Sequence, residues 1–182
     1  MSQCLGPPLQ SGDETQPVLG YVGRLSAEKN VDLLPRVQKQ LQAMGWSPRW
    51  LIVGHGSEEE MLRRELGKSS LTGVLRGEEL ANAYAAMDLL VFPSHTDTFG
   101  NVVLEALASG VPAIVTPHGG PAHIVEDGVT GRVVRDEEFA RTIAEVLSAP
   151  VRMQAMRCAA REYAMGCSWD TVFERVLAAY PL

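Results

Sequence analysis

The chain has 182 residues, of which 46% are hydrophobic, 21% charged and 6% aromatic, and its net charge is −6. At this length roughly 70% of the unfolded surface can be buried, so one well-packed domain fits, whereas a disordered or collagen-like chain does not. Acidic residues outnumber basic ones 22 to 16, which argues against general binding to nucleic acid or to an anionic membrane; a local basic pocket remains compatible.

Residues 1–16, MSQCLGPPLQSGDETQ, read as a polar lead-in without the basic start and apolar core of a secretion signal. A single soluble domain, expected in the cytoplasm, starts at residue 17 and runs to 182. The cysteines, Cys4, Cys158 and Cys167, show no CxxC spacing and read as reduced thiols. Pure apolar runs are short, such as LLVF at 89–92, far from the ~18–20 residues that span a membrane.

Short apolar runs then alternate with longer amphipathic ones. Strands are predicted at Val18–Val22, Trp50–Val53, Leu71–Leu75, Leu89–Phe92, Ala113–Thr116 and Gly131–Val134, each apolar on both faces, as parallel strands covered by helices should be. Leu34, Val37, Leu41 and Met44 make the stripe of a first helix, with Asp32 near its N-cap, Pro35 in its first turn and Gly45 at its end. Phe139, Ile143, Val146 and Leu147 make a similar stripe. Trp169, Val172, Phe173, Val176, Leu177 and Tyr180 make a last one, capped by Ser168. The predicted fold class is α/β: a Rossmann-like parallel sheet of about six strands with helices on both faces. Ligands in such sheets sit at the carboxyl ends of the strands, where the winding reverses.

Several motifs fail. GKSS at 67–70 has Leu62 where a P-loop needs glycine, and it precedes a strand instead of following one. GHGSEE at 54–59 does not complete a dinucleotide fingerprint, which disfavours a dehydrogenase. His55, His95, His118 and His123 are scattered, with no HExxH, DxD or paired cysteines, so no metal site is expected. No Gly-x-Ser-x-Gly elbow marks a hydrolase.

Two segments remain. In GYVGRLSAEKN, residues 20–30, Gly23 frees the backbone at the strand end, and Arg24 and Lys29 put two cations on the following loop. Such a pair can carry a diphosphate, Arg by forked hydrogen bonds and Lys as a point charge, although taken alone it reads as solvated surface charge. In PSHTDTFGNVVLEALASGVPAIV, residues 93–115, Phe99, Gly100 and Asn101 lead into a helix whose first N–H groups, near Gly100, Asn101 and Val102, favour an anion. Glu105 follows about a turn later, and Asp97 precedes it in the loop. A solvated Glu105 is the simplest reading, but its apolar neighbours would make burial without a partner costly.

These segments, with VGHGSEEEML and TPHGGPAHIVEDGVTGRVV, resemble the C-terminal, donor-binding domain of GT-B glycosyltransferases. The retaining family-4 (group 1) type, with its mannosyl- and sulfoquinovosyltransferase-like members, is the nearest match, from about residue 17 to the end. The resemblance implies a nucleotide-sugar donor (UDP-, GDP- or ADP-linked) and no cofactor or metal. Arg24 and Lys29 would hold the diphosphate. Asp97, standing where the family's E-x7-E pattern has its first acid, would contact the sugar, and Glu105 the ribose. Gly23, Gly100, Asn101 and Val102 would approach phosphate or sugar through backbone, Leu75 and Arg76 would receive the base, and Gly119 and Gly120 would line the cleft. Asp97 is shorter than the usual Glu. His123 replaces an acid found in many relatives and reads as a surface or packing residue.

The implied reaction is metal-independent transfer of a hexosyl group to a hydroxyl with retention of configuration. The missing partner is an N-terminal acceptor-binding half, so the chain reads as an excised or separate donor domain, inactive alone and prone to self-association. Peripheral membrane association would belong to the full enzyme, and no nucleic acid partner is implied. The alternatives are a nucleotide-sugar epimerase of the same fold and a non-catalytic nucleotide-binding module.

Overall fold

The computed structural model describes residues 16–67 and 69–167. The strands are β1 (Val18–Val22), β2 (Arg49–Val53), β3 (Ser69–Gly73), β4 (Leu89–Phe92), β5 (Ala113–Val115) and β6 (Gly131–Val133). Between and after them come α1 (Leu33–Ala43), α2 (Glu59–Glu65), α3 (Gly77–Ala85), α4 (Asn101–Ala108), α5 (Pro121–Ile124), α6 (Phe139–Leu147) and α7 (Pro150–Met165). All six strands run parallel in the order β3-β2-β1-β4-β5-β6. This is the Rossmann-like α/β sheet expected. Among the described residues no helix is long and apolar enough to cross a membrane.

The order has one consequence for the site. From β1 the winding runs outward to β3, then returns to the middle and places β4 against the free side of β1. The loops leaving β1 and β4 therefore start side by side, at the reversal where open α/β sheets bind ligands. Helices cover both faces, so the central strands bury side chains in both directions: Leu19 and Tyr21 are fully buried, as are Leu89, Leu90 and Val91.

The first helix buries Leu34, Val37 and Leu41 as predicted, with Met44 half exposed at its end. Asp32 occupies the N-cap position, but its carboxylate accepts from Arg36 (3.1 Å) and bonds no backbone amide of the helix. The stripe over Phe139–Leu147 forms α6. Four strands have boundaries that differ from those predicted. The second strand starts one residue earlier, at the exposed Arg49, and the fifth and sixth each end one residue earlier than predicted. The third shifts to Ser69–Gly73, and it is neither apolar nor covered on both faces: its residues alternate between half-buried and exposed. It is the sheet edge, where small polar residues suffice. Leu75 and Arg76 consequently lie beyond the strand, in the loop that opens α3.

The longest helix, α7, carries no stripe marked in advance. It packs on α4 and α6, burying Met153, Met156 and Ala160. Arg157 Nη1 lies 3.3 Å from Asp88 Oδ1, and Asp88 Oδ2 accepts the Val18 amide at 2.8 Å, tying α7 to the start of the central strand. The helix expected from Ser168 to Tyr180, Cys4 and residues 1–15 lie outside the described residues.

One buried polar contact joins the first helix to the sheet: the Trp50 indole N–H donates to Gln38 Oε1 at 2.9 Å, with both residues buried. Gln38→Leu leaves that donor unsatisfied, which costs about 1–3 kcal/mol. A urea titration followed by tryptophan fluorescence should show a lower midpoint with an unchanged slope.

Candidate functional site

Tyr21, near the end of β1, stacks on Phe92, the last residue of β4, with ring centroids 6.1 Å apart and planes 17° from parallel. The Tyr21 hydroxyl donates to the Arg24 carbonyl at 2.9 Å, which fixes the turn leaving β1. Burial, and next the charge of Asp97, push this phenol well above its ordinary range, so it remains a neutral donor. Above this aromatic floor opens a cavity of about 220 Å³ lined by Gly23, Arg24, Lys29, Asp97 and Val102, with Tyr21, Val22 and Phe92 beneath. Four of these, Gly23, Arg24, Lys29 and Asp97, were singled out from sequence as one constellation, and Val102 as a backbone donor; the fold brings them together.

The two cations are held differently. Lys29 Nζ lies 3.0 Å from Asp97 Oδ2, with 14% and 25% of the side chains exposed, so this ion pair bridges the β1 and β4 loops in a largely shielded place. Arg24 is 71% exposed and pairs with Glu28 at 3.0 Å. Such a surface pair is worth little. Two buried polar atoms in these loops, Ser26 Oγ and Asp97 Oδ2, have no aligned hydrogen bond among the described residues, although most such atoms in folded proteins do.

A second cavity of about 200 Å³ adjoins the first, sharing Val22, Gly23 and Arg24. Its other walls are Val53, Gly54, His55, Val74, Leu75 and Leu80, from β2 and the loop and helix after β3. Of the residues expected near a base, Leu75 lines it, whereas Arg76 is exposed at the α3 N-cap and is absent from the lining. Val53, Val74 and Leu80 went unrecognised because apolar residues at strand and helix ends look like ordinary core.

Glu105 lies one turn into α4 and is exposed, so its apolar neighbours do not enclose it. It nevertheless has a partner: the buried Tyr84 hydroxyl, on α3, donates to Oε2 at 2.8 Å. Burial, and then this bond and the carboxylate charge, raise the Tyr84 phenol far above its ordinary value. Asn101 and Val102 open α4, where amides have no intrahelical acceptor. Phe99 is 61% exposed on the rim.

Gly119 and Gly120 support the site from behind and appear in neither cavity wall. Gly119 has φ +70°, and a Cβ there would stand 2.3 Å from the Asp97 carbonyl oxygen; the Gly120 amide donates to that same oxygen at 2.8 Å. A further tie was not legible. Asn30, directly after Lys29, donates to Asp136 Oδ2 (2.9 Å) and to the Pro93 carbonyl (3.2 Å), while His95 Nε2 meets Asp136 Oδ1 at 2.9 Å. One carboxylate from the loop after β6 thus braces both loops that bear the ion pair. His95 also packs edge-on against His118, with centroids 4.9 Å apart. His123, in the short α5, touches neither cavity wall. Among the described residues no three His, Cys, Asp or Glu side chains are grouped to hold a metal.

Residues 16–149 match the family described as "Glycosyl transferases group 1". The chain belongs to this family. It is 36% identical over 166 residues to a GDP-mannose-dependent alpha-mannosyltransferase of Mycobacterium tuberculosis, covering 91% of this chain and 43% of that protein. It is also 36% identical, over 181 residues, to a D-inositol 3-phosphate glycosyltransferase of Actinosynnema mirum, covering 90% and 43%. The chain thus spans less than half the length of these relatives. Among solved structures, the pneumococcal O-GlcNAc transferase GtfA with UDP and GlcNAc superposes with a TM-score of 0.76 at 23% identity, over 89% of this chain and 35% of that one. The C-terminal domain of a group 1 transferase (LpcC) from Francisella tularensis superposes at 0.70 and 20% identity, over 83% and 85%. These likenesses establish the fold.

The glycine behind Asp97 gives a direct test of how the family's loop is held. Gly119→Ala forces a side chain into a left-handed backbone and against a carbonyl, a strain of about 1–3 kcal/mol or more. For a chain of this size the thermal midpoint should fall by roughly 2–10 °C, as calorimetry would show, whereas the exposed Ala27→Gly control should move it far less.

Proposed function

We propose that this chain is the donor-binding half of a retaining, metal-independent glycosyltransferase that moves a hexosyl group from a nucleotide-sugar to a hydroxyl. The observation that carries the reading is the joined pair of cavities at the sheet's reversal. One is mostly apolar, the other holds two cations and a carboxylate, and they meet at Val22, Gly23 and Arg24. A nucleotide-sugar has that same polarity along its length: a flat base, a ribose, a dianionic diphosphate and a hydroxylated sugar.

In this reading the base enters between Val53, Val74, Leu75 and Leu80. Arg24 and Lys29 hold the diphosphate, helped by the first amides of α4. Asp97 faces the sugar, Glu105 takes ribose hydroxyls, and Gly23 lets the backbone approach closely. As the glycosidic bond breaks, negative charge grows on the leaving diphosphate. Fixed cations aimed at that charge stabilise the transition state more than the ground state. They neutralise the leaving group in the place a divalent ion would otherwise fill, which is the basis for metal independence. The acceptor and the other wall of the cleft belong to a second half, consistent with the share of the relatives that this chain spans. Alone, the chain binds donor nucleotide without turnover.

Arg24 is the cleaner of the two cations to remove, because it is exposed, whereas Lys29→Ala would strand Asp97 in a shielded place. Arg24→Ala should weaken nucleoside diphosphate binding about tenfold or more, the worth of a charge-assisted hydrogen bond of roughly 1.5–3 kcal/mol. Calorimetric titrations of UDP, GDP and ADP, with and without chelator, check this. Equal affinity in wild type and variant would remove the diphosphate role, and a chelator-dependent affinity would remove the two-cation reading.

A further inference from the structure

We infer that Tyr84 is a positioning residue for the nucleotide ribose, holding the Glu105 carboxylate in the orientation that receives the sugar hydroxyls. The inference rests on the reading of Glu105 as the ribose acceptor and adds the group that aims it.

Tyr84 is 2% exposed, so it does not itself meet a ligand in the cleft. Its hydroxyl reaches out of the α3 packing and donates to Glu105 Oε2 at 2.8 Å. Glu105 stands on the exposed side of α4, where a glutamate ordinarily samples several rotamers. Fixing such a side chain before binding removes an entropy cost that would otherwise fall on the complex. The bond engages one carboxylate oxygen and leaves Oε1 without a hydrogen bond among the described residues.

Placement on α3 supports the same conclusion. Leu80, one turn before Tyr84 on the same helix face, lines the apolar cavity. Val102, one turn before Glu105 on α4, lines the charged cavity. The Tyr84–Glu105 bond therefore joins the helix beside the proposed base site to the helix beside the proposed diphosphate site. Ribose is the part of a nucleotide that connects those two groups. A phenol is well suited to this position, because its ring contributes to the core while its neutral hydroxyl donates without competing for the phosphates as a cation would.

The test compares a nucleoside diphosphate with its 2′,3′-dideoxy counterpart, using whichever of GDP, UDP and ADP binds the wild-type chain most tightly. Tyr84→Phe keeps the ring and deletes the donor. It should weaken ribonucleotide binding about three- to tenfold, part of the value of a charge-assisted hydrogen bond, and leave dideoxynucleotide binding unchanged. A general loosening of the fold would move both ligands alike, and that result would overturn the inference. So would a Tyr84→Phe variant with wild-type affinity for both while Glu105→Ala loses the preference for ribose. If Glu105→Ala keeps that preference, the ribose reading itself fails and takes the inference with it. An independent measurement uses the unmodified chain with 13Cζ-labelled tyrosine. The Tyr84 resonance should respond to the ribonucleotide and not to its dideoxy form, and an equal response to both would overturn the inference.

Discussion

The ion pair between Lys29 and Asp97 is the contact on which the geometry of the site depends. It closes the gap between the loops leaving β1 and β4, which the sheet order sets side by side but does not itself join beyond the strand ends. Both charges are largely withdrawn from water, so each needs the other, and loss of one leaves the second uncompensated. The surroundings reflect this. The Asp97 backbone is held by the Gly120 amide, Asn30 fastens the residue after Lys29 to Asp136 and Pro93, and His95 returns to the same Asp136. The Thr116 hydroxyl donates to the buried Ser94 carbonyl at 2.8 Å, fixing the start of the β4 loop from β5. Four strands thus contribute loop contacts to the placement of one salt bridge.

The parts legible in the sequence are those where a single physical demand dominates. The central strands were readable to the residue at Val18–Val22 and Leu89–Phe92, because a strand covered on both faces must be apolar throughout. Arg24 and Lys29, like Glu105, read alone as solvated charges; their place in the segments after β1 and β4 was legible, their partners were not. Resemblance to a known family then supplied roles that spacing alone left open. The edge strand was misplaced by two residues for the opposite reason: Ser69, Ser70 and Thr72 answer to no strong burial demand. The α7 helix was missed because Met153, Met156 and Ala160 make a narrow apolar strip among Arg152, Arg157 and Arg161. The Asp136 brace was invisible because its partners, Asn30 and His95, are separated from it by 106 and 41 residues, and only the fold brings them together.

Glycines behaved differently from expectation in an instructive way. Gly119 and Gly120 were read as lining the cleft, yet each is small because another backbone passes immediately beside it. Gly54 shows the same on the other flank, where a Cβ would stand 1.8 Å from the Gly23 carbonyl oxygen. These residues set how tightly the loops stack, which controls the site as surely as a side chain in contact with ligand would. A glycine near a binding loop is therefore ambiguous from sequence: close approach by ligand and close approach by the protein's own chain require the same residue.

The charged cavity also explains how a carboxylate can stand beside the proposed diphosphate site. Asp97 alone would repel a diphosphate, and in a shielded cavity that repulsion would be strong. With Lys29 at 3.0 Å the pair is close to neutral, and the exposed Arg24, held by no more than a weak surface pair with Glu28, is the cation that the proposed reading turns toward the diphosphate. The shorter side chain matters here. An aspartate carries its carboxylate one methylene closer to the backbone than a glutamate would, and there it meets Lys29. In the proposed reading Lys29 serves two anions at once, one belonging to the protein and one to the donor. The braces from Asn30, His95 and Gly120 make that possible, because a lysine free to follow the stronger anion would leave the other unpaired.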